Sequence, residues 1–212
     1  MDKIETQKGT TTIGILCKDG IVLVADKRAS AGYLVASKDM EKISKISKYM
    51  AVTMAGLVSD AQLLTKLIKA ELTLKRIRTG REVSVKESAN LLAMMLYGNI
   101  RRMSMIPGIV SFILGGKDES GFHLYELGVD GSVTKAGDYR SVGSGSMMAL
   151  GVLETLYKED LAVKEGIEIA VKAINAAVQR DLATGDGIDL VVIDKDGVHK
   201  KFTKKIDTKI TM

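Results

Sequence analysis

Lys8-Gly9 is followed directly by three threonines, Thr10, Thr11 and Thr12. If the chain is cut between Gly9 and Thr10, Thr10 carries a free α-amino group beside its own hydroxyl. An α-amine titrates at about 7.7–8.0, so part of it is neutral near pH 7 and takes the hydroxyl proton, directly or through a water. Nucleophile and base are then one residue. Before cleavage the same nitrogen is an amide and no base. A glycine at position 9 lets the backbone bend tightly at the attacked carbonyl. The Thr10 β-methyl limits χ1 and holds the hydroxyl in place. Read alone, the segment is better taken as a plain strand start, since threonine suits a pleated surface.

Charged partners sharpen the chemistry. Asp26 ends an apolar run that returns by a hairpin to the level of Thr10, and Lys42 follows on a short strand. A buried lysine beside the hydroxyl favours deprotonation of its neighbours, and a carboxylate beside that lysine keeps it charged. Gly56 stands between a strand and a helix, where a backbone N–H serves a developing oxyanion; a plain turn glycine is the alternative. G143-S-G-S146 also enters a helix. A phosphate loop of the form G-x-G-x-x-G fails because position 148 is Met. Asp181 and Thr184 precede G185-D-G187 and read equally as ordinary capping.

The bulk composition excludes several classes. The 212 residues are 46% hydrophobic and 27% charged, enough for one domain with a sizeable core and unlike a disordered chain. Net charge is +5, but Lys and Arg are spread among Asp and Glu, so no nucleic-acid partner is expected. The densest basic run, around Lys200-Lys201 and Lys204-Lys205, reads as a solvated strand. A single cysteine, Cys17, forms no intramolecular disulfide and falls on an apolar side, as a buried small hydrophobe. His123 and His199 read as exposed strand positions; no metal and no cofactor are expected. The polar first nine residues and the lack of a long apolar run predict a cytoplasmic protein with no membrane contact.

These groups need elements to position them. Alternation predicts a strand over 11–17, a turn at K18-D-G20 and a strand over 21–26. A loop around 28–33 precedes short strands near 34–36 and 42–46. Strand 49–55 is apolar on both faces, hence buried on both sides. S59-D-A-Q62 predicts a capping box opening a helix that Thr79-Gly80 stops; S84-V-K-E87 predicts a second. After Pro107, strands are expected at 109–115, 121–127 and 132–136. Helices to about 158 and over 163–181 follow, the latter facing inward through Val163, Ile167, Ala170, Val171, Ile174 and Val178. Strands 188–194 and 197–203 close the chain. Helices arrive in pairs and strands in hairpins, which predicts an α+β fold: a four-layer αββα sandwich of two antiparallel sheets flanked by helix pairs.

Together these segments resemble a known family. GTTTIG at 9–14, DGIVLVADKRASAG at 19–32, Lys42, TMAG at 53–56, GSGS at 143–146 and RDLATGDGID at 180–189 resemble the β-subunit of the proteasome core particle, of archaeal type. The likeness runs over essentially the whole chain after Gly9. It implies the N-terminal-nucleophile hydrolase fold, with residues 1–9 an autocatalytically removed propeptide and 10–212 one domain. It implies a threonine-type endopeptidase with Thr10 as nucleophile, Asp26 and Lys42 as charged partners and Gly56 as oxyanion donor. Ser144, Asp181 and Thr184 then surround the amine; family members commonly carry Ser where this chain has Thr184. The pocket for the residue before the cut maps to Ala29, Met40, Met54 and Val58, all apolar, which implies chymotrypsin-like cleavage after hydrophobic residues. The implied partners are α-subunits, further copies in seven-membered rings, a regulatory ATPase acting through the α ring, and unfolded polypeptide substrates. A hydrolase of small amides and a non-catalytic ring subunit are the competing readings. Non-catalytic subunits usually lose the threonine, lysine or aspartate, and all three are present here.

Overall fold

The computed structural model describes residues 9–206. The expected propeptide therefore lies outside the described residues except for Gly9. The first sheet is built on β1 (Thr11–Cys17) and β2 (Gly20–Asp26), joined by the expected tight turn and paired so that Thr12 faces Ala25. Next to β2 runs β11 (Gly187–Asp194), which pairs with β12 (Gly197–Lys205); β10 (Tyr139–Gly143) covers the other edge of β1. The second sheet runs β5 (Ile43–Lys45), β6 (Met50–Gly56), β7 (Val110–Asp118), β8 (Gly121–Leu127) and β9 (Val133–Ala136). Both sheets are antiparallel throughout. A separate ribbon pairs β3 (Ala29–Ala31) with β4 (Leu34–Ser37).

The four helices among the described residues pack in pairs. α1 (Val58–Thr79) and α2 (Val85–Ile100) bury Leu64, Ile68, Leu92 and Leu96 against Val52, Phe112 and Leu114 of the second sheet. α3 (Ser146–Leu156) and α4 (Val163–Arg180) bury Leu153, Ala170 and Ile174 against Ile13, Ile15, Val22 and Val24 of the first. A third core joins the sheets: Ile21, Leu23 and Ile193 of one with Ile113 and Leu124 of the other. Alternation therefore sends Val22 and Val24 toward helices and Ile21 and Leu23 toward the facing sheet. All seven residues of β2 are buried, which explains its unbroken apolar run. Each fully buried Leu or Ile contributes about 1.5–3 kcal/mol. Among the described residues no helix is long and apolar enough to cross a membrane.

The structure corrects the sequence reading at several points. The Ser59 capping box does not form: α1 starts at Val58 with Leu57 as N-cap, and the Ser59 hydroxyl bonds Asp60 instead. Leu57 is fixed by donating its N–H to the Ile109 carbonyl at 2.9 Å, so β7 sets where the helix begins. β10 was not anticipated between the strand at 132–136 and the helix; it forms because the open edge of β1 supplies its backbone partners. β3 lies inside the expected 28–33 loop, and Lys42 precedes β5. The inner face of α4 is centred on Gly166, Ile169, Ala173 and Ala177 together with Ala170 and Ile174, and the glycine and alanines among them let the helix approach the sheet. His123 is half-buried, with Nε2 facing Ser120 Oγ at 2.7 Å and Asp118 at 3.2 Å. Cys17 is buried as expected, and burial pushes its thiol up to about 12.

The Ser84 capping box is present: Glu87 N–H donates to Ser84 Oγ at 3.2 Å and Ser84 N–H to Glu87 at 3.0 Å. The Arg81 guanidinium, then that N–H and Lys75, hold the Glu87 carboxyl well below the usual carboxylate range. Ser84→Ala is expected to cost about 1 kcal/mol by denaturant unfolding; an unchanged midpoint contradicts the cap. Because the folded-state pKa of Glu87 lies below the unfolded value, its stabilisation is present above about pH 4.3 and fades as pH falls through the folded value. The stability gap between wild type and Glu87→Gln should therefore shrink progressively below about pH 4.

Candidate active site

The hairpin register brings Thr11 opposite Asp26, and everything else in the site is arranged around that carboxylate. Asp26 is fully buried. Its Oδ1 accepts the Thr11 N–H at 3.0 Å and the Lys42 ammonium at 2.7 Å; its Oδ2 accepts the N–H groups of Arg28 and Gly185, each at 3.1 Å. Burial pushes the Asp26 carboxyl up, while Lys42 and the Thr11 and Gly185 N–H groups pull it down. All four neighbours are donors, so the carboxylate is the form this setting accommodates. Burial also lowers the Lys42 ammonium from its ordinary range, with Asp26 opposing. That brings the lysine nearer to neutral pH while the ion pair keeps it charged.

A second cluster adjoins it. The Thr10 N–H donates to Ser144 Oγ at 3.3 Å, and the Ser144 and Thr184 hydroxyls both donate to Asp181 Oδ2 at 2.5 Å. The Thr184 hydrogen is thus committed to Asp181, so Thr11 Oγ1, 2.7 Å from Thr184 Oγ1, must be the donor in that contact. The same count leaves Ser144 Oγ only lone pairs for the Thr10 nitrogen. Ser144 follows β10, whose Gly143 pairs with Thr11, and Asp181 is the C-cap of α4. The unexpected strand β10 is therefore what delivers Ser144.

Gly9 is needed for a reason other than the expected bend. Its φ is not among the left-handed values; a Cβ built there would lie 1.6 Å from the Ala183 Cβ and 2.9 Å from Ser144 Oγ. Close approach excludes a side chain. The Thr10 hydroxyl donates to the Gly9 carbonyl at 2.7 Å, which sets that hydroxyl beside the Gly9–Thr10 peptide bond.

A cavity of about 480 Å³ opens at this point. Thr10, Lys42 and Gly56 are on its wall, and so are all four expected pocket residues, Ala29, Met40, Met54 and Val58. Ala31, Ala36, Leu57 and Ala61 extend the apolar lining. Gly56 has φ 120°, and a Cβ there would meet the Ile109 carbonyl oxygen at 2.2 Å, so only glycine lets β6 turn into α1 beside the cavity.

Arg28 and Asp186 belong to the site without having been assigned a role from sequence. Arg28 Nε donates to Asp186 at 2.7 Å and its NH1 to the Leu182 carbonyl at 2.8 Å, bracing the loop that carries Asp181, Thr184 and Gly185. Asp186 takes φ 62°, an uncommon value for a side-chain-bearing residue. The signals were the arginine inside ADKR and the aspartate between two glycines.

A model described as proteasome subunit matches residues 6–193. The chain is 42% identical over 213 residues to a proteasome subunit beta of Methanococcus maripaludis strain C7, covering 97% of this chain and 95% of the relative. It is 44% identical over 195 residues to the proteasome subunit beta of Methanococcus aeolicus, covering 92% and 88%. The identity to that of Methanocaldococcus jannaschii is 42% over 196 residues, covering 92% and 86%.

The buried ion pair makes a prediction of its own. Lys42→Met leaves Asp26 buried without its cation and is expected to cost about 3 kcal/mol near neutral pH. That loss should shrink in acid, because a buried carboxyl whose pKa is raised is relieved as it protonates. The pair Asp26→Asn with Lys42→Met should cost less than the sum of the single changes in denaturant unfolding; simple additivity contradicts the coupling.

Proposed function

The chain belongs to the proteasome subunit family and is a homologue of archaeal proteasome β-subunits, and from that premise we propose that it is a catalytic β-subunit with Thr10 as nucleophile. One observation carries this reading. Thr10 and Lys42 line one apolar cavity, Asp26 holds Lys42 from behind, and the Ser144–Asp181–Thr184 cluster joins them through the Thr10 N–H.

In self-cleavage, Thr10 Oγ1 adds to the Gly9 carbonyl carbon, the C–N bond breaks, and the nitrogen leaves as the free α-amine. Water then hydrolyses the resulting ester, releasing residues 1–9 as a carboxylate and restoring the hydroxyl. On a substrate the same oxygen attacks the scissile carbonyl. The amine takes the hydroxyl proton and passes it to the departing amine of the peptide; water then cleaves the acyl-enzyme with the amine again as base. The hydrogen-bond direction suits this. In the uncleaved chain Ser144 accepts the Thr10 amide N–H and has no hydrogen to offer that nitrogen; the same contact after cleavage leaves the amine lone pair available to Oγ1. The Lys42 charge favours the alkoxide, Asp26 keeps that charge in place, and the Gly56 N–H stabilises the oxyanion.

The apolar lining supports cleavage after hydrophobic residues. The core shared by the two sheets, with a helix pair on each, supports the four-layer αββα arrangement. By resemblance, the chain assembles into seven-membered rings with α-subunits, and unfolded polypeptides reach it in the cytoplasm through a regulatory ATPase.

The intact mass of the chain after incubation with its α-partner tests the reading directly. Loss of residues 1–9 is expected; an unchanged mass in an active complex refutes it. Thr10→Ala should abolish both processing and peptide hydrolysis. Lys42→Ala should lower turnover on the order of 10²-fold or more. Gly9→Ala should slow processing on the order of 10²-fold, since the added methyl must displace the scissile bond. Among fluorogenic peptides differing only before the cut, hydrophobic residues should be preferred; a preference for acidic ones sinks the pocket assignment.

A further inference from the structure

Segment 38–42, between β4 and β5, has no regular secondary structure, yet it carries Met40 on the cavity wall and Lys42 on the buried carboxylate. Its Lys42 end is fixed twice: Lys42 O accepts the Met54 N–H at 2.9 Å, and its ammonium holds Asp26. The Met40 end is fixed by Lys27 and Asp39. Lys27 lies just past β2 with its side chain only 5% exposed, and its ammonium is shared by Asp189 at 3.0 Å and Asp39 at 2.8 Å. Asp189, 2% exposed, is rooted in β11 and accepts the Thr203 hydroxyl at 2.5 Å and the Lys200 ammonium at 3.4 Å. The other oxygen of Asp39 meets the Lys205 ammonium at the end of β12. The Lys27 carbonyl also accepts the Met40 N–H at 2.9 Å.

Asp39 is thus held between two cations anchored in the first sheet, and the residue after it lines the cavity. Methionine is flexible, so the shape it presents depends on where its backbone is held. We infer that Asp39, clamped by Lys27 and Lys205, is a positioning residue that sets the Met40 wall and thereby the affinity for large apolar side chains before the cut. The inference rests on the proposed peptidase function and names a determinant of its substrate selection. Asp39 touches none of the reacting groups, so its effect is on binding. Lys27 keeps Asp189 when Asp39 is removed, which leaves no buried charge unpaired and allows the variant to fold.

The test compares wild type, Asp39→Ala and Asp39→Glu in the complex assembled with the α-subunit. The substrates are two fluorogenic peptides carrying Leu or Ala before the cut. Asp39→Ala should raise KM for the Leu peptide about fivefold with kcat changed less than about twofold, and shift the Ala peptide less. Asp39→Glu, which restores the charge, should recover most of the loss. Unchanged KM, or a loss confined to kcat as a smaller active fraction gives, overturns the inference. Thr10→Ala is run alongside: persistent hydrolysis there defeats the catalytic reading without touching the KM comparison. If wild type shows no turnover, binding of the labelled Leu peptide by fluorescence anisotropy decides. Equal affinity of wild type and Asp39→Ala then overturns the inference, and weaker binding by the variant supports it.

Discussion

A carboxylate with no access to water must find every hydrogen bond within the protein, and Asp26 imposes that demand on the molecule. An unmet charge at this depth costs several kcal/mol. The donors come from four places: the first residue of β1, the turn after β2, the lysine before β5, and the glycine after α4. Satisfying Asp26 therefore draws together segments remote in sequence. The strand that follows Thr10, the lysine and the loop bearing the second hydroxyl cluster are fixed by one requirement. The surroundings of Thr10 inherit their geometry from a burial problem.

The neighbouring cluster follows a different logic, that of proton direction. Asp181 is the common acceptor of two hydroxyls, and this orients both. A serine with its hydrogen committed elsewhere offers only lone pairs to the Thr10 nitrogen. Arg28 ties the two clusters, since its backbone serves Asp26 while its guanidinium braces the loop after Asp181. Neither cluster places a charged side chain among the apolar walls of the cavity apart from Lys42.

What could be read from the sequence was local. The β1–β2 hairpin, the stop at Gly80 and the Ser84 cap each rest on residues within a few positions of one another. Asp26 was legible because a charge at the end of an apolar run is costly unless it is used; Lys42, in a mixed stretch, was legible only as the lysine near the next short strand and through the family resemblance. The failures share a non-local origin. β10 forms because β1 has an edge to fill, and α1 begins at Val58 because Ile109 anchors its N-cap, Leu57. The lack of room for a side chain at Gly9 was not legible either: its crowding partner, Ala183, lies far along the chain. The work of Arg28, Asp186, Lys27 and Asp39 is done across the fold, which spacing and periodicity do not reveal.

The position of β1 between β2 and β10 has a consequence in time. Its partner β2 is made immediately after it, whereas β10 and the Asp181–Gly187 loop are synthesised much later. A chain still emerging from the ribosome holds the threonine and Asp26 in a local hairpin but lacks the serine, the second aspartate and the glycine donor. High sequence separation between contacting parts makes such assembly a late event. The order of translation itself thus keeps the surroundings of Thr10 unfinished until the Asp181–Gly187 loop has been made.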